Sequence, residues 1–400
     1  MRILQLCNKA PFPANDGSSI AIYNMSRGLL NNGIDLDLMT LNTKKHFKSD
    51  KNVPKSFLEN THYLSVYKNT NPSLFGLIAN LFSSKSYFET RFYFPEFEQK
   101  LIEKLQANSY DIIQLEGFFM SSYVPVIRQY STAKIVLRAH NIEHVIWERH
   151  NKSVTNPIKK AYFTIQTRRL KKQELTAFQQ VDYIVPITPI DENILGQWVD
   201  KSKMQTVLTG VDLAEYQLEK DPMFETKSVF CFGSMDWLPN QQAVEWFLEK
   251  CWPIVLDKIP SCKFIIAGRN IPESFKQKAS VNVLILENVP TSNEIYNRFN
   301  VMVVPLQSGS GLRIKIVEGL SFGKAIVTTP IGCEGIEVQN KRDLLMAETP
   351  ERFAEAVIQL VENSETRNSI ELNAKAFAKE HLDNTKLTAT LVRFYNSILS

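Results

Sequence analysis

The sequence predicts an α/β protein built of two Rossmann-like, doubly wound parallel-sheet domains that face each other across an interdomain cleft. Three observations carry this. Short apolar runs alternate with helical patterns along most of the 400 residues. The alternation restarts after Gly210. A charged stretch without periodicity, TGVDLAEYQLEKDPMFETKS, separates the two series and reads as a connector.

In the first series the strand candidates are RILQLC from Arg2, IDLDLMT from Ile34, YDIIQLE from Tyr110, KIVLRAH from Lys134 and DYIVPIT from Asp182. Between the first two, Ile22, Met25 and Leu29 follow helical spacing, and Gly33 reads as the C-terminal cap. The second series offers VFCFGS from Val229, CKFIIAG from Cys262, VNVLILE from Val281, VMVVPL from Val301 and AIVTT from Ala325. The clearest helix there is predicted from about Asn240 to Asp257, and the chain is mostly helical from Pro350 onward. The expected boundaries are residues 1–205 for the first domain, 206–228 for the connector and 229–380 for the second domain. Residues 381–400 form a last helix, read as packing back on the first domain.

Composition narrows the class of function. With 44% hydrophobic and 22% charged residues the chain is an ordinary globular protein. A net charge of +4 does not point to nucleic acid. Five scattered cysteines without a CxxC pair fit buried thiols in a reducing compartment. The start MRILQLCNKAPFP reads as a strand rather than a signal peptide, and Leu74–Phe82, the longest apolar segment, is too short to span a bilayer. A cytoplasmic location is expected.

In such sheets ligands bind at the carboxyl ends of the strands, so the loops there carry the chemistry. The most informative stretch is VPLQSGSGLRIKIVEGLSFGKAIVTT, Val304–Thr329. A strand ends at Leu306, and Ser308, Gly309, Ser310 and Gly311 form a small flexible loop. A helix then runs to about Phe322 with Gly323 as its cap. Backbone N–H groups at such a junction can approach an anion, aided by roughly half a positive charge at the helix N-terminus. Arg313 and Lys315 in the first turns could clamp a departing diphosphate. Glu318, three residues past Lys315, shares its face and could accept from ribose hydroxyls. A solvated basic pair, with Glu318 bound to Lys315, is the alternative reading.

RAHNIEHVIWERH holds His140, His144 and His150. The order HNIEH is not the HExxH of a zinc helix, so no metal is expected. His140 at a strand end reads as a hydrogen-bonding group near substrate, and His144 and His150 as structural or surface residues. In MDWLPN, Asp236 or Asn240 can cap the next helix and Pro239 suits its start. Asp236 and Trp237 are candidates for a cleft wall. Lys159, Lys160, Arg168, Arg169, Lys171 and Lys172 form a basic stretch interleaved with Tyr162, Phe163, Ile165 and Leu170. It reads either as a solvated helix face or as a peripheral contact with the inner face of a membrane.

These segments resemble family 4 glycosyltransferases, which have the two-domain GT-B fold, in a bacterial polysaccharide-biosynthesis branch. Gly311–Thr329 is similar to the family's donor-binding signature. PFPANDGSSIAIYNMSRGLLNNGIDLDLMTL is similar to its first loop and helix, RAHNIEH to its histidine loop, and VLTGVDL to its connector. FGSMDWLPNQQAVEWF and IGCEGI fall in matching order, so the resemblance spans Met1 to about Val338. Two departures stand out. Of two glutamates that the family often carries seven residues apart, Glu318 matches the second, and Ser310 stands at the first. GSMDWLPN also lacks the family's usual Arg and Lys.

The resemblance implies a hexosyl-type transfer from a nucleotide sugar to a glycan or lipid-linked acceptor, with retained anomeric configuration and neither metal nor cofactor. The first domain would face the acceptor and the second the donor. Carried onto this chain, Arg313 and Lys315 would hold the diphosphate, with Ser310 and Gly311 in the glycine loop. Glu318 would bind ribose and Val289 would sit near the base. His140 would lie near the donor sugar, and Gly17 would approach the phosphate or acceptor. Catalysis would then rest on His140, Arg313 and Lys315. Two other readings share these loops: a nucleotide-sugar epimerase, and a non-catalytic nucleotide-sugar-binding protein. A dinucleotide-dependent oxidoreductase is disfavoured because no GxGxxG follows the first strand.

Overall fold

A computed structural model describes residues 1–14, 16–43, 53–69, 80, 83, 86–90, 92–219, 224–289, 291–309 and 311–400. They divide into two compact units, one of Met1–Thr209 with Thr385–Ser400 and one of Gly210–Asn384. Each unit is built on a six-stranded parallel sheet, so the α/β class and doubly wound layout follow the sequence.

In the first unit, β1 (Arg2–Cys7), β2 (Asp35–Thr43), β3 (Leu64–Lys68), β4 (Ile112–Glu116), β5 (Lys134–Ala139) and β6 (Tyr183–Pro186) lie in the order β3-β2-β1-β4-β5-β6. The strands are apolar on both sides because both faces are covered. Leu4, Leu6, Ile113, Leu115, Ile135 and Leu137 form one core with Phe97 and Leu101 of the helix Pro95–Ala107. On the other face Ile3, Ile112 and Val136 pack with Met25 and Leu29 of the helix Gly17–Asn31. The C-terminal helix Asn384–Leu399 adds Leu391 and Tyr395 to that second core. Gly33, at a φ of 72°, ends the first helix and donates to Leu30.

In the second unit, β7 (Glu225–Ser234), β8 (Lys263–Arg269), β9 (Val283–Glu287), β10 (Phe299–Val304), β11 (Ala325–Thr328) and β12 (Leu345–Met346) lie in the order β12-β11-β10-β7-β8-β9. Counted from its own first strand, this is the same strand order as in the first unit. In both, the order reverses beside the first strand, between β1 and β4 and between β7 and β10, and these are the crevices where ligands of such sheets bind.

Three sequence expectations need correction. β3 and β12 are strands that the apolar runs did not reveal. The end of the expected connector, from Glu225, is already β7. The helix expected from Asn240 begins at Leu238 and is interrupted by one π-helical turn at Phe247–Cys251, followed by Pro253, which cannot donate a helical hydrogen bond. All of Leu74–Phe82 except Asn80 lies outside the described residues. The five cysteines are buried free thiols, and burial pushes those of Cys231, Cys251 and Cys262 up to about 12. No helix among the described residues is long and apolar enough to cross a membrane.

Candidate active site

In the second unit the predicted basic pair gathers at the crevice between β7 and β10. The helix Ile314–Phe322 starts there, held on the sheet by buried Ile316, Val317 and Leu320, and Gly323 ends it in the left-handed region. Lys315 lies in its first turn and donates to Oδ1 of Asn240 at 2.8 Å. Asn240 in turn donates to the Ser234 carbonyl at 2.7 Å, tying the MDWLPN turn to the end of β7. That corrects the capping expectation: the helix Leu238–Trp246 has no side-chain cap, and Asn240 instead joins the turn to Lys315. Gly233 makes the contact possible, because a Cβ there would lie 2.9 Å from Lys315 Nζ and 3.0 Å from Asn240 Nδ2. Burial, aided by the charge of Arg313, lowers the Lys315 ammonium to about 8, against the pull of Cys231 and Glu318.

Arg313 precedes the helix and is only 4% exposed. Its guanidinium donates to the Gly311 carbonyl at 2.7 Å and lies 5.8 Å from the centre of the Trp237 ring. Gly309 sits against both, since a Cβ there would lie 2.9 Å from Arg313 and 3.1 Å from Trp237. Arg313 therefore braces the glycine loop as well as charging it. Trp237 and Asp236 are exposed beside it, and Asp236 accepts from Ser234 Oγ. Ser310 lies outside the described residues.

Glu318 is 6% exposed and accepts from the Tyr216 hydroxyl at 3.4 Å. Burial raises its carboxyl to about 7, although Tyr216 and the nearby Lys315 oppose the rise. The alternative of a direct Glu318–Lys315 ion pair is thus not what forms: Glu318 meets Tyr216, and Lys315 meets Asn240. Val289 follows β9, past Asn288, at the outer part of the same sheet edge.

In the first unit, Gly17 opens the helix Gly17–Asn31, beyond the end of β1. Asp16 caps that helix by accepting from the Ser19 backbone at 3.1 Å, and Lys9 holds Asp16 at 2.9 Å. His140 follows β5. Its Nε2 lies 2.5 Å from Oε2 of Glu116, the last residue of β4. Glu116 is fully buried, and Arg138 lies 3.4 Å from the same oxygen. Gln5 donates to the other oxygen at 2.6 Å, and Gln114 donates to that oxygen too. Burial pushes the Glu116 carboxyl up, but Arg138, His140 and Gln5 outweigh it and hold the group down at about 2.

His144 and His150 take the structural places expected of them. His144 Nδ1 lies 2.5 Å from Glu174, whose carboxylate also accepts the backbone N–H groups of Glu143 and His144. His150 packs edge-on against Trp147 and Phe163. His140 and His144 thus face different carboxylates. Among the described residues, one group has metal-ligand spacing: Asp35, Asp37 and His62. It lies at the opposite, amino end of β2, where Arg2 and Lys104 already neutralise Asp37.

Of the basic stretch 159–172, Leu170 is buried and Phe163 packs on Trp147, while Lys159, Lys160, Arg168 and Lys172 are exposed. Arg169 and Lys171 turn to neighbours, Asn80 and Glu148. Sequence reasoning missed Glu116, Gln5 and Tyr216. The one available signal was a carboxylate ending an apolar strand just before a glycine, in QLEG.

Comparison with known proteins bears on the family and the fold. Residues 226–363 match the family model described as glycosyl transferases group 1. An uncharacterized 44.6 kDa protein from the cps region of Klebsiella pneumoniae is 23% identical over 409 residues, covering 98% of this chain and 99% of its own. The crystal structure of Anabaena HepE in complex with UDP matches with a TM-score of 0.69 at 13% identity, over 99% of this chain and 100% of HepE. A variant of S. aureus TarM, in complex with fondaparinux, α-GlcNAc-glycerol and UDP, matches with a TM-score of 0.70 at 12% identity, over 99% and 100%. Residues 226–363 thus belong to the glycosyl transferases group 1 family, and the chain that carries them is a glycosyltransferase of the GT-B fold.

Proposed function

We propose that the protein transfers a hexosyl group from a nucleoside-diphosphate sugar to a glycan or lipid-linked acceptor in bacterial polysaccharide assembly. The observation that carries this is the convergence of Lys315, Arg313, Glu318 and a helix N-terminus at the β7/β10 crevice. A leaving diphosphate gathers negative charge, and prepositioned cations and N–H dipoles stabilise it there. Lys315 and the first turn of its helix receive the diphosphate, with Arg313 adding charge through the loop it braces. Glu318 accepts from ribose, and Val289 stands on the side of the base. His140 meets the donor sugar, and Gly17 opens the helix beside the phosphate or acceptor. HepE has been crystallised with UDP-glucose, which supports a donor of this class. The cps-region relative supports the polysaccharide setting.

Direct displacement on the donor's own face, with retention, follows from the family resemblance. The basic pair supports diphosphate departure without a bound divalent cation. The exposed basic face, with Ile158 80% and Ile165 43% exposed, supports peripheral contact with an anionic membrane surface.

The test is calorimetric titration of UDP, GDP, ADP and dTDP into wild type and Arg313→Ala. One nucleotide should bind wild type, and the variant should lose about 3 kcal/mol of leaving-group stabilisation, roughly a hundredfold in transfer rate. Near-normal transfer by Arg313→Ala would remove the clamp. Donor turnover without an acceptor sugar would favour the epimerase, and binding without turnover the non-catalytic reading.

A further inference from the structure

We infer that Glu116 is a positioning residue. It fixes His140 in the Nε2–H form and in one ring orientation, which leaves Nδ1 as the acceptor for a hydroxyl of the donor sugar. The inference rests on the proposed donor-sugar role of His140 and deepens it.

The argument is one of hydrogen-bond accounting. Nε2 lies 2.5 Å from Glu116 Oε2. A carboxylate only accepts, so the proton must sit on Nε2; a lone pair there would face another at contact distance. Arg138 NH1, 3.3 Å from Nε2, is itself only a donor and points its charge at Glu116 as well. The carboxylate cannot turn away, because Gln5 and Gln114 hold its other oxygen. Gln5 is held in its turn, accepting from Ser26 Oγ at 2.7 Å. Gln114 accepts from the Tyr395 hydroxyl at 2.7 Å. Arg138 is anchored on Thr209 at 3.0 Å. The pairing is built into the sheet, since Glu116 on β4 stands in register with Arg138 on β5. The His140 side chain keeps 12% exposure, and its Nδ1 has no partner among the described residues. A buried carboxylate that sets the tautomer of a partly buried imidazole is the arrangement by which hydrolytic triads orient their base. Here it would orient an acceptor.

The test uses the full-length protein labelled with ¹⁵N-histidine. In wild type, His140 should show a protonated Nε2 and an unprotonated Nδ1; the opposite tautomer would overturn the proposal. In Glu116→Gln the amide can donate to Nε2, so the proton should move to Nδ1. That variant should bind UDP-glucose, or the GDP, ADP or dTDP analogue that wild type selects, about tenfold more weakly. It should bind the matching diphosphate within about twofold of wild type. Unchanged tautomer or unchanged sugar affinity in Glu116→Gln would refute the role. Glu116→Asp keeps the charge opposite Arg138 and should retain the wild-type tautomer; loss of it there would also refute the role. If wild type binds none of the nucleotides, the donor reading falls and takes the sugar hydroxyl with it, while the wild-type tautomer still decides what Glu116 does.

Discussion

Glu318→Gln should stabilise the protein, and the gain should grow with pH. The carboxyl is 6% exposed, and burial lifts it from its ordinary 4.5 to about 7. Below 4.5 both folded and unfolded chains hold the proton, so this group leaves stability unchanged. Between 4.5 and about 7 the unfolded chain releases the proton while the folded chain keeps it, so rising pH favours unfolding. Above that window the cost levels off at roughly 3 kcal/mol, the free-energy equivalent of the lift. Gln stays neutral at every pH and can still accept from Tyr216. Urea unfolding of both proteins between about pH 4 and 8.5 measures the difference. The variant should match wild type at the acid end and exceed it by up to roughly 3 kcal/mol at the alkaline end. It should nevertheless bind the nucleotide more weakly, because a neutral amide is a poorer acceptor for ribose hydroxyls. A constant difference across pH, or a variant less stable at the alkaline end, would refute the account of a carboxylate held at a cost for binding.

Gly233→Ala puts a methyl group 2.9 Å from Lys315 Nζ. The methyl also meets Asn240 and sits on a backbone at φ 159° that side chains rarely adopt, so nucleoside diphosphate affinity should fall about tenfold and the melting temperature should drop as well. Asn240→Ala should loosen the same lysine and weaken the same ligand, and unchanged diphosphate affinity would show that Lys315 needs neither contact. Added chelator should leave transfer intact, as an activity assay with and without it will show. Replacing exposed Lys159, Lys160, Arg168 and Lys172 by Gln should abolish co-sedimentation with anionic vesicles and spare diphosphate binding. Equal sedimentation of the variant would mark this face as merely solvated.

The fold was legible because its central strands are apolar on both faces, which leaves runs such as RILQLC and VMVVPL plainly visible. β3 sits at the edge of its sheet with only Val66 fully buried, and β12 is two residues long, so neither leaves such a run. The glycine loop with Arg313, Lys315 and Glu318 was legible because its residues are neighbours in sequence. Its partners were not. Tyr216 reaches Glu318 from 102 residues away, and Asn240 reaches Lys315 from 75, through the pairing of β7 with β10. Asn240 reads as a helix cap from residue type alone, yet its carboxamide is spent on Ser234 and Lys315. Glu116 was hidden for a related reason: a charged residue ending a strand looks like a surface residue until its register neighbour proves to be Arg138.

The sheet of the first unit is finished by the last residues of the chain. Unit two runs without a break from Gly210 to Asn384, whereas unit one must wait for Thr385–Ser400. On the ribosome, then, the order of maturation should be the reverse of the order of synthesis. The first 209 residues emerge early but leave the face of Ile3 and Val136 covered only in part, by Met25 and Leu29, and Gln114 without its tyrosine, until Leu391 and Tyr395 arrive. Since Gln114 also holds Glu116, a nascent or prematurely stopped chain would carry an unfinished brace behind His140, even with its second unit already folded.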